Sequence, residues 1–394
     1  MTHSNPPRTD STHALSLANA TEGPETQGGP ESEETHIPPL SAADGLQVET
    51  VELAPKPAGG AMLGVITIVL TLVGWTSIPL FLKYFSNDID YYNANGWRYG
   101  FSALLWAPAI VWAYAMGKFP KGLWKAALLP ALFNTIAQHC FGVAPYKMDP
   151  GLMTFSLRSQ VIFVTIGAAI MFIPERKVIA TKGYLIGLAM VLIGTLLTLY
   201  LKPGGLGEAT KEGIALSVLA GASYAGYALC VRKVMHGINP LIAFAVVSQY
   251  TALVLVSLMV MFGAGHGMQA LELMAPLPDS TALWGFLTYP GSRFALLLLS
   301  AVIGIGLGHT FYFIAIQRLG LAVANSVVQL QPITVSICSM LIFGEILTSG
   351  QWFFGIVAVT GAGIILYAQR MASKKDAARF VMPAKRAATT KGAS

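Results

Sequence analysis

Apolar residues recur along this chain in ten stretches, each of about twenty residues, which is the length a helix needs to cross the hydrocarbon core of a membrane. Short polar segments separate most of these stretches, and the longest separator, 264–293, contains three prolines. Because short connections join consecutive stretches, we expect neighbouring helices to run antiparallel. The predicted spans are 62–82, 93–115, 124–145, 150–173, 183–201, 213–231, 240–263, 294–316, 320–343 and 351–369.

The composition indicates the same class. Hydrophobic residues make up 54% of the chain and charged residues only 11%, whereas soluble proteins carry about 25% charged residues. Lipid must therefore cover much of the surface. Cys140, Cys230 and Cys338 lie in apolar stretches without the spacing of a metal or redox pair. We therefore expect no disulfide framework, no metal and no cofactor.

The two termini are polar and differ in charge. Residues 1–60 hold nine acidic and two basic residues among many Ser, Thr, Pro and Gly, which predicts a disordered acidic tail. Residues 371–394 form a predicted basic cytoplasmic tail. If the N-terminus is cytoplasmic, eighteen basic residues fall on inner segments and five on outer ones. This asymmetry predicts that both termini are cytoplasmic. The expected location of this multi-pass protein is the bacterial inner (plasma) membrane.

The chain also matches itself at a distance. A shift of 170 residues places the third and fourth spans on the eighth and ninth without a gap. His139 then falls on His309, and Glu175 falls on Glu345. The order of these matches indicates an internal repeat.

A second shift, of 149 residues, places the first span on the sixth, so that Lys83 matches Arg232. Each half then contains five spans, and because five is odd the second half enters the membrane from the opposite side. The sequence therefore predicts an all-α membrane protein of ten transmembrane helices in two inverted five-helix repeats, at 61–203 and 204–370.

The repeat resembles the EamA domain, and residues 61–370 resemble the ten-helix drug/metabolite transporter superfamily. The resemblance implies a transporter whose third, fourth, eighth and ninth spans surround a central cavity. It does not define the substrate, because the superfamily handles amino acids, other metabolites and drugs. Pro332 departs from the repeat, since Ile162 stands opposite it. The residues that carry the resemblance are Pro174, Glu175 and Arg176, the matching Gly344 and Glu345, the glycine-containing spans that follow each, Trp75, Arg98 and Pro332.

Arg158 is the first candidate for substrate binding, since it lies about eight residues into the fourth span. An arginine keeps its proton there and needs a carboxylate, a phosphate, water or carbonyl groups as partners. Acidic residues lie only near span ends, at Asp149, Glu175 and Glu345. Arg158 is therefore either a docking point for a substrate anion or a structural arginine bonded to helix ends or amides.

A polar stripe covers roughly 140° of the third span at about 100° per residue. The repeat replaces two of its amides by Gly304 and Gly308 in the eighth span. These glycines allow close approach of backbone or substrate, or they serve simple helix packing of the GxxxG type. The stripe consists of Asn134, Thr135, Gln138 and His139.

Other candidates lie in the first, eighth and ninth spans. His139 and His309 could each carry a coupling proton or make interhelical hydrogen bonds. Asn325 and Gln329 share one face of the ninth span, and Gln331 lies on an adjacent face. The predicted substrate-binding residues are Arg158, Gln138, His139, Asn134, Gln329, Asn325, His309 and Trp75.

Three charged residues near span ends are expected to be structural. Arg98 lies five residues into the second span, from where its side chain can reach water at the outer end. Glu175 and Glu345 lie at opposite membrane faces and are expected to cap helix ends or to pair with basic loops. A role as a gate is the minor alternative.

Several function classes stay open. The favoured one is a secondary transporter that moves a small polar metabolite, such as an amino acid or organic acid, by alternating access. An exporter of hydrophobic or cationic drugs, a channel and an intramembrane enzyme are the alternatives. The chain lacks HExxH, GxSxG and ATP-binding motifs, which disfavours an enzyme and a pump. Expected partners are the lipid bilayer, the substrate and a coupling ion such as a proton, with no nucleic acid. A homo-oligomer is left open.

Overall fold

The computed structural model describes residues 58–391 except 174, 203–204, 206, 236, 279–284 and 320. Beyond residue 372 it describes the backbone only. The predicted acidic tail therefore lies almost wholly outside the described residues. Across the described ranges, the regular structure is helical. The α-helices are α1 (Ala58–Phe85), α2 (Tyr91–Ala115), α3 (Leu123–Val143), α4 (Pro150–Leu157), α5 (Gln160–Met171), α6 (Glu175–Ile179), α7 (Lys182–Tyr200), α8 (Glu208–Val234), α9 (Pro240–Phe262), α10 (Ser292–Ala301), α11 (Gly308–Leu319), α12 (Leu321–Val328), α13 (Gln331–Phe343) and α14 (Ser349–Lys391).

Short non-α segments complete the helical structure. Three 3₁₀ segments lie in connections, at Ala144–Tyr146, Ala264–Met274 and Gly285–Thr288. A π-helical segment, Val302–Leu307, joins α10 to α11 without interruption. Such π turns insert an extra residue into a helix and occur often near functional sites.

Eight helical stretches of the described chain are long and apolar enough to cross a membrane. The other two predicted spans are also helical. The second, α2, has 25 residues, but its polar first turns lower its hydropathy. The ninth is divided between α12 and α13, and only the shorter apolar helix α13 stands out. The chain is thus a multi-pass helical protein, and the count of ten spans stays a prediction.

Two predicted spans are not continuous helices. The fourth, predicted as 150–173, divides into α4 and α5, and the ninth, predicted as 320–343, divides into α12 and α13. The breaks fall at Arg158–Ser159 and at Gln329–Leu330. The repeat shift of 170 residues places Ser159 on Gln329, so the two breaks occupy matching positions.

Large apolar side chains cover the outside of the helices. Leu104, Ile170 and Leu341 are each about 70% exposed, and dozens of similar residues accompany them. Water would penalise such a surface, whereas lipid tails accept it. The exposed surface therefore fits a bilayer.

The helices pack in pairs that join the two predicted halves. The most extensive contacts link α7 to α14, α2 to α9, α3 to α8 and α1 to α11. The contact between α7 and α14 depends on Gly187 and Gly361. A Cβ added to either glycine would lie 2.6 Å from the carbonyl oxygen of the other, so only glycine permits this backbone separation.

Charged residues mark the two ends of the bundle. We call one the Lys83 end, where α1 finishes, α4 begins and α13 connects to α14. Lys83 pairs there with Glu345, and Lys202 pairs with Asp149. The opposite end, which we call the Arg232 end, lies where α8 finishes and α5 connects to α7.

Candidate functional site

Arg158 lies in the break between α4 and α5. Its amide donates to the carbonyl of Phe155, and the amide of Ser159 donates to that of Ser156. These bonds span three residues instead of four, as in a 3₁₀ turn. A short 3₁₀ turn inside a span is typical of a hinge or a functional position.

The close approach of α8 accompanies this break. A Cβ at Gly221 of α8 would lie 3.1 Å from both the carbonyl oxygen of Leu157 and the amide nitrogen of Gln160. Gly221 therefore lets the α8 backbone lie against the turn, which no proline marks in the sequence.

The break between α12 and α13 has a local cause. Pro332 lies at the start of α13, where its missing N–H is not needed. A proline disfavours helical conformation in the residue before it and cannot donate to the preceding turn. The chain forms a turn at Leu330, whose amide donates to the carbonyl of Val327, three residues earlier.

The two breaks meet at the Arg158 guanidinium. Its Nη1 donates to Oε1 of Gln329 and its Nη2 to Oε1 of Gln331, both at 2.9 Å. Nε lies 3.5 Å from the carbonyl oxygen of Thr154. Arg158 is only 8% exposed, so neutral amide oxygens are its main partners inside the bundle.

A helix from the first half completes this cluster. The side-chain amide of Gln331 donates to the carbonyl oxygen of Trp75 in α1 at 2.9 Å. One residue further on, the hydroxyls of Thr76 and Thr334 are 2.6 Å apart. We call Arg158, Gln329, Gln331 and Trp75 the Arg158 cluster.

Aromatic rings extend the cluster toward α11. The ring centroid of Trp75 lies 5.4 Å from that of His309 and 5.0 Å from that of Tyr312. His309 stacks on Phe244 at 4.1 Å. The indole N–H of Trp75 is buried and has no acceptor among the described residues.

The glycines of the eighth span serve this packing. Gly304 faces Ile78, and a Cβ at Gly308 would lie 2.7 Å from the indole nitrogen of Trp75. Both glycines therefore let α1 approach closely, which is the helix-packing alternative considered for their spacing.

The polar stripe of the third span does not join the Arg158 cluster. Asn134 donates to the hydroxyl of Thr251 in α9 at 2.9 Å. His139 contacts the rings of Tyr91 and Tyr92, with centroids 6.0 and 5.8 Å away. Gln138 is half-buried, and its backbone oxygen faces Asn95. These contacts join α3 to α9 and α2.

Asn325 cannot be placed in the same way, because its side chain lies outside the described residues. Of the predicted set, the structure thus brings Arg158, Gln329, Trp75 and His309 into one connected group. Sequence reasoning left Gln331, Thr76 and Thr334 out of the set. The signal for Gln331 was its polarity in the middle of the ninth span, where it lies on a face adjacent to Gln329 and next to Pro332.

The position of Arg98 corrects an expectation. Its side chain was expected to reach water, but it is only 2% exposed. Its Nε donates to the hydroxyl of Ser300 in α10 at 2.9 Å. The packing of α10 against α2 covers the guanidinium, which the sequence of the second span alone could not reveal.

The partners of Arg158 among the described residues include no carboxylate. Within the described chain, no Asp or Glu forms an ion pair with it, and no group of three or more potential ligands could hold a metal ion. A buried cation without a counter-charge is costly in a membrane. The cluster is therefore suited to accept an anion.

Glu175 and Glu345 both pair across the predicted halves. Glu175 accepts from Arg232 at 3.0 Å, and Arg232 also lies over the ring of Phe172. Glu345 lies 3.6 Å from Lys83 and accepts from Ser339. Each glutamate thus pairs with a basic residue rather than capping a helix.

Burial alters the acidity of both glutamates, which lie between the predicted spans. Burial raises the pKa of Glu175 to about 7, because the nearby Arg232 offsets the loss of water only in part. Burial also raises the pKa of Glu345, against smaller opposing effects of Ser339 and Lys83. Both carboxyl groups therefore hold a proton at a higher pH than exposed ones do.

Comparison with known proteins adds a family match for the second half. Residues 211–367 match the EamA-like transporter family, which is less than half of the chain. The sequence matches no curated protein significantly. A solved structure described only as "Crystal structure of protein" shares 14% identity over 80% of this chain and 99% of its own. Its TM-score of 0.47 is too low to support an argument.

Proposed function

We propose that this protein is a secondary transporter of the drug/metabolite type, which moves a small metabolite with an anionic group across the membrane by alternating access. The observation that carries the proposal is the meeting of two broken helices at a buried arginine that has no carboxylate partner among the described residues. Transporters build substrate sites from such interrupted helices, between their halves. The match of residues 211–367 to a transporter family supports the same class.

The chemistry of the Arg158 cluster favours an anion. Two glutamine oxygens orient the guanidinium but cannot neutralise its charge. A carboxylate or phosphate can take over these positions with paired, charge-assisted hydrogen bonds. The amides of Gln329 and Gln331 and the indole of Trp75 can then contact the rest of the substrate.

The ion pairs at the two ends support alternating access. Lys83 and Arg232 are counterparts in the sequence repeat, and so are Glu345 and Glu175. Each pair joins the first helix of one half to the end of the fourth span of the other. In an inverted repeat the two pairs are therefore equivalent gates at opposite faces, of which one must open at a time.

The pairing of helices also fits two inverted halves. Under the repeat, α8 corresponds to α1 and α11 to α3, so the contact of α3 with α8 corresponds to the contact of α11 with α1. The helices α2 and α9 correspond to each other and are also in contact. We propose on this basis ten spans in two repeats, with both termini in the cytoplasm of a bacterial cell. Because the sequence has no ATP-binding motif, any uphill transport is driven by an ion gradient, and exchange of substrates is the alternative.

Uptake into proteoliposomes tests this function. The purified full chain is reconstituted, loaded with an unlabelled amino acid or organic acid, and presented with trace amounts of the labelled compound. We expect saturable accumulation above equilibrium for at least one anionic compound. Arg158→Gln should lower it at least tenfold, because a charge-assisted contact contributes about 1.5–3 kcal/mol. Arg318→Gln, at an exposed arginine, is the matched control.

The same assay distinguishes the alternatives. Flux that never saturates and never exceeds equilibrium would indicate a channel. Accumulation of cationic or neutral drugs that Arg158→Gln leaves unchanged would indicate a drug exporter. A chemically altered product would indicate an enzyme.

A further inference from the structure

Arg98 is a second buried arginine with incomplete partners. It donates through Nε to Ser300, and its two terminal nitrogens have no acceptor among the described residues. The ionisable groups near it are the phenols of Tyr99, Tyr146 and Tyr224. Arg98 therefore carries a buried positive charge that no neighbouring carboxylate balances, as Arg158 does.

The surroundings of Arg98 also contain a buried hydroxyl that could bind a polar group. The hydroxyl of Tyr146 is buried and has no hydrogen-bond partner in the described part of the chain. Buried polar groups are nearly always satisfied, so an exception needs an explanation. The guanidinium of Arg98 interacts electrostatically with Tyr146, and the two groups together offer donors for one more anionic group.

Arg98 and Arg158 also lie at similar depth. Both α2 and α4 begin at the Lys83 end, at Tyr91 and Pro150. Arg98 follows its helix start by seven residues and Arg158 follows by eight, which corresponds to about 10 and 12 Å along the helices. Both arginines therefore lie about two helical turns from the Lys83 end.

We propose that Arg98, with Tyr146, forms a second anion subsite, which binds a carboxylate or phosphate group. This inference rests on the proposed transport function and narrows its substrate class to molecules with two acidic groups, or to one acid accompanied by a separate anion. Ser300 is a positioning residue, because it contacts the guanidinium through Nε and leaves the terminal nitrogens available.

Ligand-induced stabilisation of the purified full chain tests the subsite. Melting temperatures are measured over a concentration series of propionate, succinate, glutarate and inorganic phosphate, because binding to the folded state alone raises stability. The variants are Arg98→Gln and the control Ser102→Ala, one turn further along α2. Ser102→Ala changes a buried polar side chain of the same helix but removes no charge, so it controls for a general loss of polar packing in α2.

We expect wild type and Ser102→Ala to bind a dicarboxylate about 10- to 100-fold more tightly than propionate, as an added charge-assisted contact implies. Arg98→Gln should remove this difference and leave propionate binding unchanged. If the second anion is a separate one, phosphate should strengthen propionate binding in wild type but not in Arg98→Gln. Either result supports the subsite and shows whether the second anionic group belongs to the substrate or to a separate anion.

Two results would overturn it. One is an Arg98→Gln variant that keeps the full preference for dicarboxylates. The other is an equal loss for every probe, which would mean that Arg98 only holds α2 against α10. Failure of the proposed transport function is distinct, because no anion would then be bound by wild type or carried in the uptake assay.

Discussion

The two ends of the helix bundle are held together differently. At the Lys83 end, the described residues form four ion pairs, which are Lys83–Glu345, Lys147–Glu212, Lys202–Asp149 and Arg293–Asp88. At the Arg232 end, the described residues form one, Arg232–Glu175. The single pair is far less exposed than Lys147–Glu212, with its glutamate side chain only 3% exposed. The Lys83 end thus has three partly hydrated pairs and a fourth, Arg293–Asp88, whose arginine side chain is only 8% exposed. The Arg232 end has, among the described residues, one pair with a buried glutamate.

This difference indicates which end of the bundle is more sensitive to a substitution. Partly exposed ion pairs contribute about 0–1 kcal/mol each, so the loss of one leaves the Lys83 end nearly intact. Loss of one partner of a buried pair costs more, because an uncompensated charge stays behind. The loss of Arg232 should therefore weaken its end of the bundle more than the loss of Lys83 weakens the other end.

The largest effect is expected for Arg232→Gln. It leaves Glu175 buried without its cation and removes the contact of Arg232 with the Phe172 ring. At pH 8 we expect a loss of about 2–4 kcal/mol in stability, measured as a lower melting temperature. The loss should be smaller at pH 6, because Glu175 can then take up a proton. A loss that is equal at both pH values would count against the buried pair.

A smaller effect on stability is expected from the titration of Glu175 in the wild type. Its folded-state pKa is about 7, above the usual value near 4.3 for an unfolded chain. The folded state therefore holds the proton more tightly, and this stabilisation is lost as the pH rises between those two values. Between pH 6 and 8 the stability should fall by about 1 kcal/mol. Neighbouring Arg232 and Tyr184 keep their charge states in this range.

The control for the pH effect is Glu175→Gln, which keeps the shape of the side chain and removes its titration. Its melting temperature should vary less between pH 6 and 8 than that of wild type. Equal slopes would assign the pH dependence to another group.

The smallest effect is expected for Lys83→Gln at the other end. Its side chain is 27% exposed and that of Glu345 is 18% exposed, so we expect a loss of about 0.5–1 kcal/mol. If the pair is a gate, the variant should still increase the labelling of a cysteine placed between α1 and α13 near the Lys83 end. The charge-swapped double variant, Lys83→Glu with Glu345→Lys, should restore the wild-type labelling rate.

Much of the helical architecture was predictable from hydropathy. Length and apolar content define most spans, since the bilayer imposes both. The break before Pro332 could have been anticipated, because proline ends a helix locally. The break at Arg158 could not, since it coincides with the approach of α8 at Gly221, which depends on tertiary packing.

The candidate site was predictable in part for the same reason. Arg158 and Gln329 stand out as polar residues inside apolar runs, and a membrane makes such residues costly. Asn134 and His139 stand out equally, yet they contact Thr251 and the tyrosines of α2. Polarity identifies residues that face the bundle interior, but only the packing of helices decides which of them meet.

The π-helical segment Val302–Leu307 has a consequence for angular alignment. One additional residue advances an α-helix by about 100°, and the segment accommodates it just before His309 and Tyr312. The face that α11 turns toward Trp75 is therefore set by this single inserted residue. If the insertion moved along the helix past His309, the imidazole would rotate away from the indole while the helix ends stayed in place. A shift in the position of the π-helical segment would thus rotate part of α11 about the helix axis without moving the helix along that axis.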